Sequence, residues 1–161
     1  MNLVKWNKLY DNNLRLDKIF IDKYGNDKEF YKKNRIELLV EIGEFINETK
    51  VFKYWSIKKR DNKKVLEECA DVITMILSFY GVHKLEIKEF NLELNDKVLD
   101  KIIDLYNEAS LYSKNNNINN ISNIFKIVLE ILYSLGYQEE DILEAINNKQ
   151  LVIEERLNSE Y

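Results

Sequence analysis

The sequence predicts an all-α fold, a helical bundle of about six helices, on three observations. Proline is absent, and glycine occurs only four times in 161 residues, so the usual helix breakers are nearly missing. With 45% hydrophobic residues, the chain can bury a core within a single domain spanning residues 1–161.

The first helix runs from about Leu3 to Tyr24 and is closed by the Gly25-Asn26 turn signal, with Asp27 placed to cap the next. The second carries the run RIELLVEIGEFINE, and its periodicity fades between Thr49 and Asn62. A third helix spans about Lys63 to Tyr80, with Gly81 as its stop. After a connector from Val82 to Leu94, Asn95 or Asp96 can cap a fourth helix reaching about Ser113. KNNNINNIS, Lys114 to Ser122, is a polar low-complexity loop. A fifth helix, Ile124 to Leu135, stops at Gly136, and a sixth covers about Glu139 to Arg156.

Composition excludes several classes of function. A net charge of −4 with acids and bases interspersed argues against a nucleic-acid groove, so an anionic ligand would need local help. The lone Cys69 allows no intramolecular disulfide and, with the single His83, no zinc site, which points to a reduced, cytoplasmic setting. The opening MNLVKWNKLY lacks a signal-peptide apolar segment, and the longest apolar stretch, Val72 to Leu77, is too short to span a bilayer. A soluble protein without membrane contact is expected. His83, just past the expected helix end, reads as a C-terminal cap contact, and Cys69 as a small core residue.

Two acidic clusters carry the chemistry. On the second helix, Glu37, Glu41, Glu44 and Glu48 fall within roughly 60° of one another. Like charges one turn apart cost a few tenths of a kcal/mol per pair, and no lysine is interleaved on that face. Leu38, Ile42, Phe45 and Ile46 lie immediately beside the stripe, so these acids border the core. The third helix, KVLEECADVITMILSFY, is apolar on nearly every side yet contains Glu68 and Asp71, with Val65, Val72 and Met75 close to Glu68 on the wheel. An unpaired carboxylate there costs several kcal/mol or takes up a proton. Facing each other, Glu41, Glu44, Glu68 and Asp71 would form an all-oxygen cage, the preference of Mg²⁺ or Mn²⁺. The following FKYWS adds a cation at Lys53 and, at Trp55, a flat indole on which a base can stack.

These segments, ELLVEIGEFINETKVFKYWS and VLEECADVITMILS, resemble the signature segments of the all-α dimeric dUTPases, relatives of the MazG-type nucleotide pyrophosphatases. The resemblance continues in KQLVIEERLNSEY, which matches the family's C-terminal pattern at Lys149, Arg156 and Tyr161. It departs at Ile153, Leu157 and Glu160, where the family has Asn, Gln and Gly, and Thr74 stands where His or Asn is usual. In NLRLD, Asn13 falls about where the family reads the base with Gln.

The resemblance implies a homodimer of the dimeric all-α nucleotide pyrophosphatase fold, with a metal-binding helix pair at its centre. It implies that Mg²⁺, with Mn²⁺ as a substitute, is held by Glu41, Glu44, Glu68 and Asp71, with Glu41 or Glu44 also serving as general base in converting dUTP to dUMP and pyrophosphate. Lys53, Lys149 and Arg156 would neutralise phosphate oxygens, while Asn13, Trp55 and Tyr161 would contact base or sugar. Glu37 and Glu48 would stand behind the ligands or in solvent. Two alternatives stay open: hydrolysis of another pyrimidine nucleotide such as dCTP, and a catalytically silent helical partner-binding protein that has kept the fold.

Overall fold

A computed structural model describes residues 1–159 and shows six helices, with no strand among the described residues. They are α1 (Leu3–Tyr24), α2 (Phe30–Thr49), α3 (Asn62–His83), α4 (Val98–Asn115), α5 (Ile118–Ser134) and α6 (Glu139–Asn158).

Local chemistry accounts for the ends. The Asn2 side chain accepts from the Lys5 N–H at 3.2 Å and starts α1. Asp61 does the same for α3, accepting from the backbone N–H groups of Lys63 and Lys64. Asp27 does not cap α2: its carboxylate accepts from Glu29 N–H, and Glu29 occupies the cap position. Likewise Lys97, not Asn95 or Asp96, precedes α4, and Asn95 accepts from its N–H. Gly136, at φ +94°, turns the chain from α5 into α6 through backbone that side chains avoid.

Two expectations fail for identifiable reasons. Gly81 does not end α3, which continues to His83 and closes on Lys84 in the left-handed region. A Cβ at Gly81 would lie 2.4 Å from Leu14 Cδ2, so this glycine lets α1 and α3 approach closely. The polar stretch Lys114 to Ser122 is mostly helical. Asn116, at φ 53°, ends α4, and the Asn117 side chain at once caps α5, whose Ile121, Ile124, Phe125 and Val128 are all buried.

Helix α3 is the centre, packed by α1, α2, α5 and α6, while α4 lies against α5 and α2. Val65, Cys69, Val72, Ile73, Ile76 and Leu77 of α3 are fully enclosed within one chain. The apolar α3 is therefore covered within one chain, without a second subunit. His83 makes a tertiary contact in place of a cap, with its Nε2 2.9 Å from the Tyr112 hydroxyl of α4. The connector 84–97 is held from beneath: Glu130 of α5 accepts from Glu93 N–H at 2.7 Å and from buried Lys101 Nζ of α4 at 2.9 Å. No helix among the described residues is long and apolar enough to cross a membrane.

Candidate active site

Helices α2 and α3 lie side by side, and their i, i+3 acids meet across the seam. Carboxylate oxygens of Glu41, Glu44 and Glu68 lie within 4.8 Å of one another. Asp71, one turn on from Glu68, is turned toward α6 and forms an ion pair with Lys149. Burial, reinforced by Asp71 and Glu44, pushes Glu41 up to about 7, with Lys149 opposing. Glu68 is also raised, chiefly by burial and then by Asp71, Glu44 and Glu48. The charge of this cluster is thus only partly balanced by the chain itself. An all-oxygen donor set with surplus negative charge fits a hard divalent cation.

Two concavities open from the cluster. A cleft of about 810 Å³ is lined by Glu37, Glu41 and Asp71 and extends past Lys149 and Arg156 to Asn13. A smaller one of about 350 Å³ holds Glu44, Glu48 and Glu68 beside Val40 and Gly43. The structure therefore gathers Asn13, Glu41, Asp71, Lys149 and Arg156 into one cleft, with Glu44 and Glu68 at its edge. Lys53 and Trp55 line neither concavity: they sit in the loop after α2, with Trp55 63% exposed and Lys53 Nζ 5.7 Å from the Phe52 ring centre. Tyr161 and Glu160 lie outside the described residues.

The sequence of the whole helical array, not only its acidic seam, has a counterpart among known proteins. A family model described as dUTPase matches residues 5–161, nearly the whole chain. The chain belongs to the all-α dUTPase family. Membership makes this dUTPase a dUTP diphosphatase, a hydrolase acting on a nucleotide. None of the curated proteins matches it.

Sequence reading missed the far end of the dUTPase cleft. Asp17 and Ser78 line it together with Asn13, and a ring-rich wall including Phe20, Tyr24 and Phe30 flanks them. A signal was present: Ser78 is seven residues beyond Asp71, on the same face of α3, and Asp17 is one turn beyond Asn13 on α1.

Burial raises Asp17 to about 6, against hydrogen bonds from Ser78 and Asn13 that lower it. Asp17 and Glu41 therefore hold their protons more tightly folded than unfolded. Their contribution to stability is complete below about pH 4 and is lost as pH rises through about 6 at Asp17 and about 7 at Glu41. Metal-free dUTPase is expected to unfold in urea more easily at pH 8 than at pH 5, by on the order of 1 to 3 kcal/mol after allowance for solvent screening. Stability that rises across that interval would contradict the arrangement of these two carboxyls.

Proposed function

We propose that the enzyme converts dUTP to dUMP and pyrophosphate in a Mg²⁺-dependent reaction at the α2–α3 carboxylates. The observation that supports this most is the meeting of Glu41, Glu44 and Glu68 beside a cleft that also holds Lys149 and Arg156. Glu41, Glu44, Glu68 and Asp71 would hold the metal. Bound there, Mg²⁺ supplies charge neutralisation and polarisation of phosphate oxygens.

The protein's own groups do the rest. Lys149 is already held at the cluster by Asp71 and meets phosphate as a point charge. Arg156, two turns further along α6 at the exposed cleft lip, offers bidentate contact. Of the two candidate bases, Glu41 lines the cleft together with Lys149 and Arg156 and would take the proton of an attacking water. Attack on the α-phosphorus then releases pyrophosphate, whose leaving charge Lys149 and Arg156 face.

A homodimer fits an apolar surface distinct from α3. Ile36 and Val40 of α2 and Leu99, Ile103 and Tyr106 of α4 are each at least 40% exposed and fall at helical spacing. The two stripes adjoin where Tyr106 Oη lies 3.8 Å from the position of a Cβ on Gly43. Such a seam suits an isologous contact between two copies. A buried, unpaired Cys69 agrees with a reducing, cytoplasmic location.

Purified protein tests this reading directly. Pyrophosphate release from dUTP should require added Mg²⁺ or Mn²⁺ and disappear with EDTA. The same preparation should sediment as a dimer at micromolar concentration. Metal-independent turnover would overturn the metal assignment, and a monomeric species would overturn the dimer.

A further inference from the structure

The cleft contains a charged group that the proposed hydrolysis does not use. Asp17 lines the cleft beside Ser78, two turns of α3 beyond Asp71, and is tied into a small polar network. Its Oδ1 accepts from Ser78 Oγ at 2.8 Å and its Oδ2 from Asn13 Nδ2 at 3.1 Å. An ionised carboxylate offers about four lone-pair positions, so about two remain for a ligand.

Asn13 has no such reserve. It is 3% exposed, and its amide nitrogen is within hydrogen-bond distance of Asp17, Ser78 Oγ at 3.0 Å and the Thr74 carbonyl at 3.3 Å. Its Oδ1 accepts from Gln150 Nε2 at 3.2 Å, and Gln150 is itself fixed to the Leu9 carbonyl at 2.9 Å. Two amide hydrogens already face three acceptors, so Asn13 can offer none to a ligand without breaking the network. The group left to meet a base is therefore the carboxylate that Asn13 holds in place.

We propose that Asp17 reads the Watson–Crick edge of the substrate pyrimidine by accepting the ring N3–H, with Asn13 and Ser78 as its positioning residues. This rests on the placement of the phosphates at the α2–α3 carboxylates. From Asp71 to Ser78 the rise along α3 is about 10 Å, and both residues line the same cleft, so a nucleotide anchored at one end directs its base toward the other. Uracil carries a hydrogen on N3. Cytosine presents a lone pair there, and a carboxylate facing it would set acceptor against acceptor in a partly buried site. Burial raises Asp17 to about 6, which leaves it ionised and short of donors at neutral pH. Thymine keeps the N3–H, so Asp17 discriminates uracil from cytosine and not uracil from thymine.

The test is kcat/KM for dUTP, dTTP and dCTP in the wild-type protein and in Asp17→Asn, which keeps the shape and turns one acceptor into a donor. The expected result is a fall of at least tenfold in the dUTP-to-dCTP ratio, carried mainly by KM for dUTP, with the dUTP-to-dTTP ratio unchanged. Ser78→Ala, which frees the carboxylate to rotate, should lower the same ratio by a smaller factor, and it carries the test alone if Asp17→Asn does not fold. An unchanged dUTP-to-dCTP ratio in the folded variants overturns the proposal, even if both substrates slow together. Glu68→Gln separates the two levels: if that variant keeps its turnover, the phosphate placement falls and the base assignment with it. If it is inactive while the Asp17→Asn ratio holds at the wild-type value, only the base assignment falls.

Discussion

Glu68→Gln is expected to cut Mg²⁺-dependent dUTP hydrolysis by at least about 100-fold while leaving the metal-free fold equally stable or more so. Glu68 leaves α3 between enclosed Val65 and Val72, and its carboxylate lies within 4.8 Å of those of Glu41 and Glu44. The amide preserves size and one oxygen but removes a charge from a cluster in which Glu41 and Glu68 already hold their protons more tightly than free carboxyls do. Loss of a metal ligand and relief of repulsion thus act in opposite directions on activity and stability. Pyrophosphate release and a thermal melt without metal measure the two. Turnover close to wild type would remove Glu68 from the site.

The largest stability loss is expected at Glu130→Ala, by about 3 to 5 kcal/mol. Lys101 and Glu130 are 8% and 4% exposed, and the substitution leaves the ammonium enclosed without its counter-ion. It also strands the Glu93 N–H, so the connector between α3 and α4 loses its anchor on α5. Replacing both partners by apolar residues, as in the double variant Lys101→Met with Glu130→Leu, should recover most of the loss. Neither residue lines the cleft, so kcat of the folded fraction should not move. Urea denaturation of the three proteins decides it, and a single variant within about 1 kcal/mol of wild type would show that Lys101 finds other solvation.

What the sequence made legible was whatever depends on one helix at a time. The acids at Glu41, Glu44, Glu68 and Asp71 follow from periodicity, as do the buried faces around Ile42 and Val72. Lys149 was marked only by likeness to a family, because nothing local says that a lysine on the last helix will meet Asp71. Gly81 misled because its space is filled by Leu14 of another helix, and Asn116-Asn117 because a two-residue break looks like a long polar loop when flanked by more asparagine. Of the Asp17 network only the spacings within α1 and within α3 could be read, and the meeting of the two helices could not, for the same reason. Its members are 61 to 141 positions apart along the chain wherever they join different helices, and only the docking of α1 on α3 and α6 brings them together.

The two tryptophans divide the protein's ultraviolet emission between opposite surroundings. Trp6 is wholly enclosed, its indole N–H donating to Glu139 at 2.8 Å, whereas Trp55 stands 63% in water on the loop after α2. The fluorescence spectrum should accordingly be a sum of a blue and a red component, each tied to one place. Whatever comes to cover that loop, nucleotide or second copy, shifts the red component alone, and unfolding shifts the blue. Occupancy and integrity can thus be followed separately in one cuvette, with no label added.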